Sequence, residues 1–336
     1  MVRIKITEEQ DNCVTVYWAP MHKKKRNDQM ADFYMYIGLP GSGKSTIAAA
    51  QKGATIISSD AIRGELYGDE NIFGKRDEVF GLMLRRTREA LLRGETVCYD
   101  ATNLASRRRR GLLEQLPKGT KKHAIVVWAR YSTCLERNAR RERKVEPEAI
   151  RRMLTQFEVP YYNEGWDDIT ILKNDEKGYE PSELFELLNI PHDNPHHDGS
   201  ISEHIYRVQK AVHTLLYAED DSRFPDEDTK NLVYPILRSV ATWHDVGKPF
   251  VKSFFNARQE FTPKEAHYYG HANVSTYLYL GIEGVDATNI DADLCTAYLI
   301  NIHMLKFEKE GKRYKSLPAN IKILLDFFNE CDIAGA

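Results

Sequence analysis

Gly38–Leu39–Pro40–Gly41–Ser42–Gly43–Lys44–Ser45 follows an apolar run at 33–37 and leads into a helical pattern from Lys44. This order, strand then glycine-rich turn then helix, is the context a P-loop needs. Glycines at 38, 41 and 43 let backbone amides turn inward around phosphates, with Ser42 in the same loop. Lys44 is placed to reach the β and γ phosphates, and the Ser45 hydroxyl, with Thr46 beside it, to serve a magnesium ion. ATP, or GTP or another nucleoside triphosphate, with Mg2+ is therefore the expected cofactor. Working outward, short strands are expected at 54–58, 96–99, 123–129 and 168–172. Helices are expected near 73–93, 105–116, 132–143 and 147–157. Alternation of this kind predicts an α/β domain with a parallel sheet and helices on both faces.

The motif binds a nucleotide but does not name what receives the phosphate. Ser58–Ser59–Asp60–Ala61–Ile62–Arg63 puts a carboxylate and a guanidinium one helical turn apart. Asp60 suits deprotonation of an attacking hydroxyl while Arg63 grips a neighbouring phosphate. A helix-start Asp also stabilises the helix dipole; the pairing with Arg63 at the mouth of the sheet favours chemistry. Asp100 ends the strand at 96–99 as an acidic tip, followed by Thr102 and Asn103, which read equally well as acceptor contacts or as a plain turn. Arg107–Arg110 reads as a solvated helix face. Arg137 and Arg141, four apart on an expected helix, can both lean over the phosphates as a lid.

GLPGSGKST, SSDAIR, DATN and RNARR together resemble the polynucleotide 5′-kinase family over about residues 32–175. By that resemblance Asp60 is the general base and Arg63 binds the acceptor's phosphate. Lys44 and Ser45 then serve ATP and magnesium, and Arg137 and Arg141 are lid residues. The wider P-loop kinases, small-molecule kinases included, share the first and last of these motifs.

The turn-rich stretch 190–199 reads as a boundary. Expected domains are thus an N-terminal hairpin and extension (1–30), a P-loop kinase domain (31–190), a linker (191–199) and an all-α domain (200–336). Helices are expected near 201–218, 235–246, 268–280, 292–305 and 319–333. His204 borders the apolar stripe Ile201, Ile205, Val208, Val212, Leu215, while His213 should face away. His244 extends the stripe Leu237, Val240, Ala241, with Asp245 beside it. Ile321, Leu324, Leu325 and Phe328 put Asp332 on a buried face, where a carboxylate is costly unless paired or metal-bound. A lone inward histidine is usually a satisfied core residue. Three expected helices aim His204, His244–Asp245 and Asp332 at one interior, which predicts a four-ligand nitrogen and oxygen site.

DNPHH, EHIYRV, WHDVGKP, YYGHANVS and LINIHML, ending in a helical Asp, resemble the HD-domain phosphohydrolase superfamily over about 196–336. By that resemblance His271 and His303 serve a second metal or the substrate phosphate, and Lys248 contacts phosphate. His197 borders the site, His192 and His196 read as linker residues, and His267 is left undecided. The resemblance implies a metal, Mn2+, Fe2+, Co2+, Ni2+ or Zn2+, that activates water against a phosphoester, with Asp245 both ligand and catalytic residue.

The chain has 336 residues and a net charge of −2. Residues 1–195 carry 32 Lys+Arg against 29 Asp+Glu, and 196–336 carry 15 against 20. The basic excess lies with the expected nucleotide site and the acidic one with the expected metal. Five cysteines without a CxxC pair argue against disulfides and a thiolate zinc site. With no long apolar run and no signal-peptide core, the expectation is a cytoplasmic protein without membrane contact. The combined expectation is end healing of RNA or DNA: ATP-dependent phosphorylation of a 5′-hydroxyl and removal of a 3′-phosphate or 2′,3′-cyclic phosphate, with a ligase acting downstream. In bifunctional enzymes of this kind the HD domain comes first; here the order is reversed. The alternative is a nucleoside or other small-molecule kinase fused to an HD nucleotidase.

Overall fold

A computed structural model describes residues 2–7, 15–20, 31–70, 76–195, 198–218, 221–287, 291–308 and 311–336. It divides into two units, Lys23–Gly178 and a second comprising Met1–His22 with Tyr179–Ala336.

In the first unit β3 (Asp32–Ile37), β4 (Thr55–Ser58), β5 (Val97–Asp100), β6 (Lys121–Trp128) and β7 (Asp168–Lys173) form a parallel sheet in the order β4-β5-β3-β6-β7. Helices α1 (Lys44–Ala49), α2 (Ser59–Tyr67), α3 (Arg76–Leu92), α4 (Ser106–Leu113), α5 (Tyr131–Ala139) and α6 (Pro147–Leu154) connect the strands. Interior strand β5 is buried at every position, the mark of a strand covered on both faces. Tyr36, Ser58 and Asp100 lie in register at the carboxyl ends. The loops that follow β3, β4 and β5 therefore open on the same edge, where α/β sheets bind ligands.

In the second unit β1 (Val2–Thr7) pairs antiparallel with β2 (Thr15–Pro20), the hairpin expected at the N-terminus. Its helices are α7 (Pro181–Phe185), α8 (Ile201–Leu216), α9 (Glu227–Trp243), α10 (Lys248–Val251), α11 (His271–Leu280), α12 (Asp291–Ile302), α13 (Lys312–Lys315) and α14 (Ala319–Ala334). Ser200 and Glu203 close a capping box at the start of α8, satisfying amides that the helix itself cannot. Helix α9 begins eight residues before the expected 235 and runs through Pro235. Helix α12 is buried from Leu294 to Ile302, so it forms the centre of the unit.

The division falls at Gly178/Tyr179, ahead of the 191–199 stretch read as a linker. The Tyr179 amide donates to the Gly281 carbonyl at 2.7 Å, fastening the chain to the helical unit from there on. Within the turn-rich stretch the His192 amide donates to Gly199, and the Ile201 amide to Ile190, at 3.2 and 3.1 Å. Its turn-forming residues close a tight loop inside one unit. Among the described residues no helix is long and apolar enough to cross a membrane.

Candidate nucleotide cradle and histidine–aspartate centre

The loop Gly38–Gly43 joins β3 to α1. Gly41 has φ +83°, and a Cβ there would run into the backbone of Cys134, so only glycine fits. Asn174, past the end of β7, donates from its side chain to the Ser42 carbonyl at 2.7 Å, while Arg137 donates to the Asn174 carbonyl at 2.9 Å. These two residues brace the loop from behind. The Lys44 ammonium crosses the loop to the Leu39 carbonyl at 2.7 Å. Burial lowers the Lys44 pKa to about 8, against the pull of Asp100. Asp100 accepts from the Ser45 hydroxyl, and burial raises its pKa. A lysine, a hydroxyl and a carboxylate thus meet at the helix start, the set that holds a triphosphate with its magnesium.

Asp60 lies in the first turn of α2, its amide capped by the Ser58 hydroxyl at 3.3 Å. Arg63 pairs with one Asp60 oxygen at 2.7 Å, and Arg143 holds the other. Arg143 also approaches Glu70 at 3.7 Å. Arg63 is 7% exposed, and burial lowers its pKa. Sequence reasoning missed Arg143, because it lies in a bend beyond α5 where no helical spacing applies.

Two expectations for this unit are corrected. Arg141 is not on a helix with Arg137, since α5 ends at Ala139; it is exposed in the following bend, though within electrostatic reach of Lys44 and Asp100. Arg109 is no solvated residue. It is 1% exposed, paired with Glu164 at 2.6 and 2.8 Å, and donates to the carbonyls of Asn103, Leu104 and Glu158. Asn103, at φ +50°, spends its amide on the Tyr36 carbonyl at 2.7 Å, while the Thr102 carbonyl accepts from the Gly38 amide. The Asn103 side chain and the Thr102 backbone carbonyl thus help hold the loop that carries the cradle.

The second unit gathers six side chains read from the sequence. His204 comes from α8, His244 caps α9, Asp245 follows it, His271 opens α11, His303 follows α12 and Asp332 lies on α14. All six are buried. They fall into two groups, His204–His244–Asp332 and Asp245–His271–His303, each with ligand atoms within 4.8 Å of one another. Asp245 joins them: one oxygen lies 3.3 Å from His244 and 3.5 Å from His204, the other 3.3 Å from His271. Asp332 sits 3.0 Å from His204.

Every imidazole in the cluster commits Nδ1 to a backbone carbonyl: His204 to Gly335 at 3.0 Å, His244 to Ala241 at 3.0 Å, His271 to Tyr268 at 2.8 Å and His303 to Ile300 at 2.8 Å. Carbonyls only accept, so Nδ1 carries a hydrogen and each ring turns its Nε2, the atom free to take a cation, inward. Four ring Nε2 atoms and two carboxylates then face one another out of water. Such a set fits one or two divalent cations. Burial opposes a proton on His244, yet Asp245 and Asp332 outweigh it and raise its pKa to about 9. His303, buried beside His271 and His244, is held well below the usual range. Burial pushes the Asp245 carboxyl up, but His244 and Lys248 hold it well below the carboxylate range. Gly247 makes this geometry possible, because a Cβ there would lie 2.5 Å from the His271 carbonyl oxygen.

Lys248 pairs with Asp245 at 2.6 Å and lies 3.1 Å from His192 Nε2. His192, read as a linker residue, is fully buried with its ring edge-on to His204 at 5.5 Å. Turn residues around it concealed that burial. His267 faces the Thr262 hydroxyl at 3.0 Å and stacks on Tyr269; His213 points outward as expected. His196 and His197 lie outside the described residues. A cavity of 690 Å3 opens onto Asp245, Lys248, His271, His303 and Asp332.

Residues 34–160 match a family model described as an AAA domain (AAA_33). Among solved structures, the chain is similar to one in the structure of the Pnkp1/Rnl/Hen1 RNA repair complex, with 16% identity, 41% of this chain and 46% of that chain covered, and a TM-score of 0.35. A second structure of the Pnkp1/Rnl/Hen1 complex gives 19% identity, 37% and 44% coverage, and a TM-score of 0.32. A gluconokinase from Sinorhizobium meliloti 1021 gives 22% identity, 44% and 84% coverage, and a TM-score of 0.31. The chain spans less than half the length of the two RNA-repair chains it matches. Scores this low carry no argument about substrate. With the loop geometry, the family match shows a P-loop kinase-like α/β domain at the front of the chain.

Proposed function

We propose that the chain heals broken nucleic-acid ends, adding a phosphate to a 5′-hydroxyl in the first unit and removing a terminal 3′-phosphate, or a 2′,3′-cyclic phosphate, in the second. The observation that carries the reading is the inward turn of four imidazole Nε2 atoms onto Asp245 and Asp332, in a chain that also holds a P-loop. A hydrolytic phosphate site fused to a phosphate-donor site is explained by a substrate with two reactive ends.

In the first unit the loop amides and Lys44 hold the triphosphate, and Ser45 with Asp100 holds its magnesium. Asp60 takes the proton of the attacking hydroxyl. Arg63 and Arg143 fix both oxygens of that carboxylate and offer positive charge to an acceptor phosphate. Arg137 and the exposed Arg141 cover the transferring group.

In the second unit, an HD-type site, a divalent metal held by His204, His244, Asp245 and Asp332 supplies Lewis acidity and an activated water when bound. His271 and His303 hold either a second ion or the phosphate itself. Lys248, fixed by Asp245 and His192, neutralises charge on the phosphoryl oxygens.

RNA carrying a 5′-hydroxyl and a 3′-phosphate, given γ-labelled ATP, Mg2+ and Mn2+, should gain label at one end and release inorganic phosphate from the other. Label passing to a nucleoside or sugar but never to the oligonucleotide would establish the small-molecule alternative instead.

A further inference from the structure

The cavity beside the histidine–aspartate centre is far larger than a phosphate needs. At 690 Å3 it lies in the range that holds whole small molecules, so most of its space accommodates whatever the phosphate is attached to. One wall is Ala266–Gly270, the closing limb of the segment 252–270, which doubles back on itself through backbone bridges between Ser253 and His267 and between Phe255 and Phe261. Three aromatic rings on this hairpin are open to solvent: Phe255 at 48%, Phe261 at 63% and Tyr269 at 55%. They are not scattered. Tyr269 lines the cavity with His267 stacked on it, ring planes 7° apart. Its hydroxyl accepts from the Ala257 amide at 3.1 Å, which fixes the ring against the hairpin tip. Phe255 and Phe261 pack as a pair, 5.4 Å between centroids. Tyr269 at the cavity and the Phe255–Phe261 pair on the same hairpin thus offer exposed ring faces of the kind on which unpaired bases stack whatever their sequence.

We propose that the hairpin 252–270 is a stacking platform for the unpaired 3′ end of a polynucleotide, with the terminal base on Tyr269 and the preceding bases on the Phe255–Phe261 pair. The inference rests on the phosphohydrolase reading for what sits at the centre, and adds that the substrate is single-stranded and longer than a mononucleotide. Arg313 also lines the cavity and adds positive charge to the wall that a backbone phosphate would meet.

The test is equilibrium binding of 3′-phosphorylated oligonucleotides with 2-aminopurine as the terminal base, read by fluorescence quenching on stacking and independent of turnover. The full chain should quench the terminal base and bind a trimer about thirtyfold or more tighter than a monomer, the scale of two added stacked bases. Tyr269→Ala should lose the quenching, and Tyr269→Phe should keep it. Phe255→Ala/Phe261→Ala should abolish the gain from monomer to trimer. Unquenched binding in the wild type, or affinities that ignore both length and the three substitutions, would overturn the platform. Phosphate release from the same oligonucleotides reports separately on the phosphohydrolase reading: quenching without release removes that reading and leaves the platform standing, and release without quenching does the reverse.

Discussion

His271 and His303 face each other through their Nε2 atoms at 3.1 Å, while both rings spend Nδ1 on a backbone carbonyl. Two lone pairs at that distance repel unless a proton or a cation lies between them. His204 and His244 repeat the relationship at 3.3 Å. The backbone thus sets up a demand for positive charge at two neighbouring points, and the two carboxylates increase it.

Divalent metal should therefore stabilise the second unit. At a hundredfold excess over its dissociation constant, an ion gains about 2.7 kcal/mol for the folded state. Thermal melts with Mn2+ or Ni2+ should shift upward, and a chelator should reverse the shift. Asp332→Ala should lose most of it, because Asp332 ties the last helix to His204. An unchanged shift in that variant, with metal still bound stoichiometrically, would remove Asp332 from the ligand set.

Asp60→Asn should lower kinase turnover by roughly 10²–10⁴-fold with little change in ATP affinity, the usual contribution of a general base. Arg143→Ala should weaken the acceptor's binding and lower turnover, because it frees one Asp60 oxygen. Steady-state kinetics with varied oligonucleotide and saturating ATP separate the two effects. If Arg143→Ala behaves as wild type, the Asp60–Arg143 contact has no part in the reaction.

Arg109→Ala should destabilise the first unit by about 3–5 kcal/mol, since it leaves the Glu164 carboxylate buried without its cation. Exposed Arg107→Ala should stay within about 0.5 kcal/mol of wild type. Urea denaturation of the two variants makes the comparison. Equal midpoints would mean that the Arg109–Glu164 pair does not hold α4 to the chain near Trp166.

Lys44 ties function to a stability cost. Its pKa falls from 10.5 to about 8 in the folded, nucleotide-free protein. Below pH 8 the buried ammonium carries its full penalty. Between about 8 and 10.5 the unfolded chain binds more protons, so this contribution to stability rises with pH. Lys44→Met should abolish phosphorylation, yet raise nucleotide-free stability at pH 7 by up to about 3 kcal/mol, with the gain fading toward pH 10. A melting temperature that drops at pH 7 in a folded variant would contradict the penalty.

What the sequence revealed was what depends on local spacing. The P-loop, the five strands and the inward faces of α8 and α14 follow from neighbours within one or two turns. What escaped was set by distant partners. Arg109 looked solvated among Arg107, Arg108 and Arg110 because its acceptor, Glu164, lies 55 residues on. Arg143 follows a helix end that periodicity does not fix. The orientation of His204 depends on a carbonyl at Gly335, 131 residues away. His192 sits among turn formers, which announce a loop and say nothing of its depth.

The central claim is that one chain performs opposite phosphoryl chemistry at two ends of one nucleic acid. A single-turnover time course on RNA with a 5′-hydroxyl and a 3′-phosphate tests it most directly, using wild type, Lys44→Met and His244→Ala with ATP, Mg2+ and Mn2+. The account predicts both end changes in wild type, only phosphate release in Lys44→Met, and only 5′ phosphorylation in His244→Ala. A wild-type protein that hydrolyses ATP yet alters neither end, or folded variants that each lose both activities together, would contradict it.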